Sequence, residues 1–238
     1  MDESQKATES TQGDVRQITF YYDVLSPYAY LAFHQLPQSL QGVSYQVDYK
    51  PALLGVLLRA KNMLGPAEVE YKRDWVYRHC LWLASQQGLE MAMPEKHPFN
   101  PMPLMRLALA CAHPDAPAVS SRHVTGRLLD HVWCGGAAVD DADRMASLTA
   151  EMQSHMAERK LPWLAPDSDA VKQQLRTNTE AAVAEGVFGV PTLQVDGRNF
   201  WGLDALPMLR AYLDGDSWFA SGVWEAAPAV PSGLPPRT

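Results

Sequence analysis

The 238-residue chain is short of cysteine: Cys80, Cys111 and Cys134 are the only three. None forms a CxxC pair and none has zinc-ligand spacing with His or another Cys, which argues against a dithiol oxidoreductase and a structural zinc site. An odd, low count also argues against a disulfide framework and for a reducing compartment, with the three thiols buried or incidental. Positive charge is short as well. With 20 Lys and Arg against 27 Asp and Glu, the formal net charge is −7 and the pI is near 5.5. No basic surplus is available to neutralise phosphates, so neither nucleic acid nor an anionic membrane is expected as a partner. No run approaches the roughly 18 apolar residues of a membrane span. The opening "MDESQKATESTQGDV" has no apolar core of a secretory signal, so the expected location is the cytoplasm.

What remains is an ordinary globular composition, 47% hydrophobic and 20% charged, long enough to bury a core. "RQITFYYDV" (16–24) reads as a strand from its β-branched and aromatic residues. Pro27 then suits the first turn of a helix over "YAYLAFHQLPQSL", with Tyr28, Leu31, Leu36 and Leu40 at helical spacing and Pro37 as a point of kinking. "VSYQVDYKPALL" (43–54) carries a second strand, completing a βαβ unit with parallel pairing. Helical patterns fill almost all of 53–184. The last of them, 168–186, starts at the N-cap Ser168 and stops at Gly186. Then "VPTLQVDGRNFWG" (190–202) reads as a hairpin turning at Asp196-Gly197, followed by a closing helix over 204–215.

This order predicts an α/β chain: a thioredoxin fold (βαβ…ββα) with a large all-helical insertion. The expected boundaries are a disordered tail at 1–14, a thioredoxin-like domain from 15–53 and 165–214, a helical insertion at 54–164, and a Pro/Ala-rich tail at 215–238. That last tail is expected to be mobile, with Trp218, Phe219 and Trp224 able to dock.

Ser26-Pro27-Tyr28-Ala29 stands where a thioredoxin fold would carry CxxC, at the start of the first helix. Free N–H groups and the positive end of the helix dipole favour an anion there. Serine cannot exchange disulfides, but its hydroxyl can donate to a thiolate supplied from outside. The same residues read equally as a helix cap followed by Pro at the first turn. Val190-Pro191-Thr192 opens a later strand. Its X-Pro bond is either a cis peptide facing that helix end or an ordinary trans strand start.

The segments "FYYDVLSPYAYLA", "KNMLGP" (61–66), "HPFNPMPLMRLALA" (97–110) and "GVFGVPTLQVDGRNFWGLDAL" (186–206) together resemble the 2-hydroxychromene-2-carboxylate isomerase family. That family is close to the kappa-class glutathione transferases within the DsbA-like thioredoxin superfamily. The resemblance spans about residues 16–213 and implies glutathione as cofactor, a small aromatic carboxylate as substrate and, by the same route, a homodimer. Ser26 would stabilise the glutathione thiolate, and Asn62 would border the active site. Val190 would bond glutathione through its backbone, ahead of Pro191. Trp201, Gly202, Leu203 and Asp204 would hold the γ-glutamyl end, with Asp204 on its ammonium. Phe99 and Asn100 would line the substrate cavity. Lys61, Arg73, Arg78 and Arg106 are the cations on offer to a substrate carboxylate.

Local readings stand beside these: Asn62 as a turn residue, Asp204 as an N-cap, Asn100 as a loop-closing side chain. Leu203 and Ala205 depart from the family's pattern, which has Asn, Gln or Ser and then Arg around this Asp. The implied activity is glutathione-dependent cis–trans isomerisation of an aromatic-degradation intermediate. The alternatives are kappa-like transfer or peroxide reduction, and a DsbA-like binding protein without chemistry.

Overall fold

The computed structural model describes residues 15–229, 231 and 233, so the tail expected at 1–14 lies outside the described residues. Strand β1 (Arg16–Tyr22) is the hinge of the architecture. Its side chains alternate between two faces, and both are covered, which is why the run is apolar almost without interruption. Ile18, Phe20 and Tyr22 enter the main core, while Tyr21 enters a second, smaller cluster with Ala52, Leu57, Ala182, Val187 and Val190. Helix α1 (Pro27–Ser39) follows and continues through Pro37; β2 (Tyr45–Pro51) then pairs parallel to β1, Arg16 opposite Tyr45 and Tyr22 opposite Pro51.

Six helices come next: α2 (Leu54–Ala60), α3 (Glu70–Gln86), α4 (Met102–Ala110), α5 (Arg122–Trp133), α6 (Ala142–Glu158) and α7 (Asp169–Ala184). Serine or aspartate caps α5, α6 and α7: Ser121, Asp141 and Ser168 accept from the backbone three residues on. The block is less uniformly helical than its sequence suggests, since 87–101 and 161–168 contain neither helix nor strand. Strands β3 (Thr192–Val195) and β4 (Arg198–Trp201) form the expected hairpin, through two left-handed residues, Asp196 (φ 50°) and Gly197 (φ 75°). The sheet order is β2-β1-β3-β4, with β3 antiparallel to both neighbours. This is the α/β thioredoxin arrangement. The main core runs unbroken from β1 and α1 through Leu107 of α4, Leu128 of α5, Met152 of α6 and Leu175 of α7 to Phe200 of β4. No helix among the described residues is long and apolar enough to cross a membrane.

The closing helix is shorter than the expected 204–215, and the segment after it docks through the rings expected to be able to do so. Helix α8 spans Leu206–Leu213 and is preceded by a 3-10 turn at Leu203–Ala205. Beyond it, a 3-10 turn at Ser217–Ala220 and a short α9 (Val223–Ala226) fold back onto β4. Phe219 is 8% exposed, with ring centroids 5.0 Å from Tyr212, 5.7 Å from Trp224 and 6.2 Å from Phe200. Arg198 lies over the Tyr212, Phe219 and Trp224 rings and pairs with Glu225 at 2.7 Å. An apolar ring cluster around a guanidinium offsets the entropy of ordering a Pro/Gly-rich segment. Phe219→Ala should therefore lower unfolding free energy by about 3 kcal/mol in urea denaturation; a change within error would show that the segment adds nothing to the fold.

Candidate functional site

Between β1 and α1 lie four residues whose polar groups are nearly all engaged. Ser26 N donates to Asp23 O at 3.0 Å, closing the turn. The buried Trp133 Nε1 donates to Val24 O at 3.0 Å, and His97 Nε2 lies 2.9 Å from Leu25 O. A carbonyl acceptor requires the proton on Nε2, so Nδ1 accepts, and Tyr77 OH stands 2.7 Å from it. Burial holds the His97 pKa below its ordinary value, helped by the Arg73 charge and opposed by the bond to Leu25. Asp23, fully buried, accepts from Leu25 N at 3.0 Å and from Leu54 N, the first residue of α2, at 2.8 Å. Desolvation raises its pKa to about 6 against the pull of those two N–H groups.

This loop presents Ser26, which is 4% exposed, at the N-terminus of α1. Pro27 occupies the first helical position, where its missing N–H breaks no bond. The Ser26 hydroxyl accepts from Ala29 N at 3.3 Å, so the capping reading holds. It also donates to Val190 O at 3.1 Å, across 164 residues of sequence. The Val190-Pro191 bond is cis. Around it, Thr192 Oγ1 donates to Gly189 O at 2.7 Å and Gly202 N donates to Pro191 O at 2.9 Å.

The 201–204 segment closes over the same point. Trp201, 53% exposed, packs on Phe188 at 4.8 Å, and its indole nitrogen would lie 2.6 Å from a Cβ at Gly189. Gly202 sits at φ 98°, a backbone conformation that favours glycine, and the Asp204 carboxylate returns over it to where a Cβ would stand. Leu203 is 8% exposed and packs into the main core, so its side chain serves packing. Asp204 is exposed and its charge bears on the Tyr28 hydroxyl, which lies 3.0 Å from His79 Nδ1. It does not cap α8: that helix starts with Ala205 at its N-cap and no side-chain bond.

Ser26, Val190, Pro191, Trp201, Gly202 and Asp204 are thus gathered at one helix end. The remaining predicted residues are not tied to it by hydrogen bonds among the described residues. Asn62 is exposed at φ 53° and closes α2 as a turn residue, its N–H on Arg59 O. Asn100 accepts from Met102 N at 3.1 Å and so closes its own loop. Phe99 packs on His97 at 5.9 Å and lines a cavity of about 130 Å³ with Pro98 and Val139. A larger groove of about 440 Å³ between α5 and α6, lined by Arg127, Arg144 and Glu151, holds none of them. Of the four cations, Arg106 is bound to Asp167 at 2.9 Å and Lys61 and Arg78 are exposed. Arg73 is half-buried, and its charge is felt by both His97 and Tyr77. Asp23, His97, Tyr77 and Trp133 were not singled out by their sequence. Asp23 and His97 lay inside distinctive segments, "FYYDVLSPYAYLA" and "HPFN", without being picked out in them.

The site has a hydroxyl, a carbonyl and the positive end of a helix, which together suit an anion with a hydrogen-bond donor beside it. It has no ionised sulfur of its own. Cys80, in contact with the Tyr28 hydroxyl, and Cys111 are buried, and burial pushes both thiols up to about 12; Cys134 is raised for the same reason. No cluster of three or more His, Cys, Asp or Glu suited to a metal occurs among the described residues.

The family described as DSBA-like thioredoxin domain matches residues 17–214. Glutathione S-transferase kappa 1 of Rattus norvegicus is 27% identical over 217 residues, covering 85% of this chain and 92% of that protein. The 2-hydroxychromene-2-carboxylate isomerase of Pseudomonas sp. (strain C18) is 27% identical over 206 residues, 83% of this chain and 90% of that protein. A solved 2-hydroxychromene-2-carboxylate isomerase superposes with a TM-score of 0.67 at 21% identity, over 90% of this chain and all of the other.

Asp23 gives the site a signature in pH. Its folded pKa, about 6, lies above its ordinary value of 3.8. The folded state therefore holds the proton more tightly, and this contribution to stability is full below pH 3.8 and lost as pH rises through 6. The loss is on the order of 3 kcal/mol. In Asp23→Asn the lost acceptor is a pH-independent penalty, so the stability of the variant relative to wild type should rise by about that amount between pH 4 and 7. Parallel stability–pH curves in chemical denaturation would show that Asp23 does not ionise in the folded protein.

Proposed function

We propose a function from one premise: the chain belongs to the family of DSBA-like thioredoxin domains. Its curated relatives are isomerases and glutathione transferases. Our reading is a glutathione-dependent cis–trans isomerase of the 2-hydroxychromene-2-carboxylate type, acting on a small aromatic carboxylate. The observation that carries it is the buried Ser26 hydroxyl at the N-terminus of α1, 3.1 Å from Val190 O, with no thiolate of the protein's own beside it.

The residues fit glutathione. Val190 O can accept an N–H, and the first N–H groups of α1 with the Ser26 hydroxyl can face a sulfur anion. The exposed Asp204 carboxylate, near Tyr28 and Gly202, offers an anion to the γ-glutamyl ammonium. Bound glutathione would supply a thiolate that adds reversibly to a conjugated carbon, so that the bond can rotate and the sulfur leave unchanged. Ser26 lowers the thiol pKa by donating to the charged form only. Trp133, His97 and Asp23 hold the loop that aims it. Arg73, half-buried and with its charge felt at His97 and Tyr77, is the cation we assign to the substrate carboxylate.

Hydroxychromene carboxylate with catalytic glutathione should isomerise, followed by ultraviolet absorbance. Stoichiometric consumption of glutathione would instead mark a kappa-like transferase. Failure to bind immobilised glutathione would mark a protein without this chemistry. Ser26→Ala should slow turnover by about 1 to 3 kcal/mol, roughly tenfold to a hundredfold, and an unchanged rate would remove its assigned role. Arg73→Gln should raise KM for the carboxylate about tenfold while leaving retention on glutathione resin intact; an unchanged KM points to another cation.

A further inference from the structure

Three consecutive carbonyls surround the cis bond, and only the middle one meets the N-terminus of α1. Gly189 O accepts from the Thr192 hydroxyl at 2.7 Å, and Pro191 O from Gly202 N at 2.9 Å, both within the same hairpin segment. Val190 O, between them, has one hydrogen-bond donor among the described residues: the Ser26 hydroxyl, from the opposite side of the site. A hydroxyl carries a single proton and turns about one bond. In this structure that proton is on Val190 O, and so it is not available to a sulfur. Turning it away would leave a bare carbonyl in a place with little water, because Val190 is 6% and Ser26 4% exposed. Ser26 would still cap α1 throughout, since the bond to Ala29 N uses a lone pair and not the proton.

We infer that Ser26 and the Val190 carbonyl form a selector for peptidyl thiols: the hydroxyl turns to a ligand's sulfur only when an N–H of the same ligand takes its place on Val190 O. This rests on the glutathione reading above and adds a rule to it. A thiol without a neighbouring N–H pays for the orphaned carbonyl and gains little from Ser26. A cysteinyl thiol, whose amide nitrogen is bonded to the Cα that carries the CH2–S group, satisfies both groups at once. Val190 acts here as a positioning residue through its backbone, and Ser26 is the group that touches sulfur.

The experiment measures the acidity of the bound thiol by thiolate ultraviolet absorbance at saturating ligand. The ligands are glutathione and an analogue whose cysteinyl amide is replaced by an ester, which has the same shape without the N–H. With wild-type protein, the acid dissociation constant of bound glutathione should exceed that of the bound ester by about tenfold to a hundredfold, the worth of one buried hydrogen bond. In Ser26→Ala the two ligands should become equal. Equal acidification of both ligands by wild type overturns the selector while leaving glutathione binding in place. A difference that persists in Ser26→Ala overturns it too, by placing the effect elsewhere. Failure of glutathione to bind at all, read separately by equilibrium dialysis, removes the functional reading and the selector with it.

Discussion

The site depends on three backbone carbonyls. Asp23 O, Val24 O and Leu25 O are each held by a donor: Ser26 N, Trp133 Nε1 and His97 Nε2. A loop between a strand and a helix has no ladder of its own to satisfy these groups. Here α5 and the irregular segment before α4 satisfy two of them, and the Asp23 carboxylate satisfies the Leu25 and Leu54 N–H groups. The helical block therefore does more than cover the sheet. It fixes the direction in which the first turn of α1, and the hydroxyl at its head, face the cis bond on the neighbouring hairpin.

Burial holds all three of the protein's own thiols toward the protonated form. Cysteine becomes a nucleophile where positive potential or exposure favours the thiolate. Cys80 and Cys111 are placed in apolar surroundings that do the reverse. The potential that would favour a thiolate is concentrated at the α1 N-terminus, where the side chain is a serine. A buried, unpaired carboxylate at Asp23 works against stability at neutral pH, and it lies in the loop that carries the site. Such local conflicts are expected where function constrains sequence.

Much of this was legible in the residues. The Ser26 cap and Pro27 act within three positions, and the Asp196-Gly197 turn is decided by two residues that tolerate positive φ, so both can be read locally. The apolar run of β1 announces a strand covered on both faces. What could not be read are bonds from a side chain to a distant backbone. His97 reaches Leu25 over 72 residues and Trp133 reaches Val24 over 109, and a carbonyl leaves no trace in sequence. Asp23 lay inside the strand read over 16–24, and the backbone N–H groups it accepts from leave no mark in the sequence. Leu203 looked like a lost ligand side chain, whereas its side chain belongs to the core. The last segment reads as mobile by its Pro and Gly, and its placement is decided by Arg198 on β4, which gathers its rings.

Trp201 carries a further consequence. Of the chain's seven tryptophans, Trp133 is fully buried, while Trp201 is half in solvent with its indole nitrogen against Gly189, the residue before Val190. Anything that settles beside Gly189 alters how much water reaches that ring. The molecule thus carries an indole at the mouth of the site, whose share of the emission is the difference between wild type and Trp201→Phe, since Trp75, Trp82 and Trp218 are exposed as well.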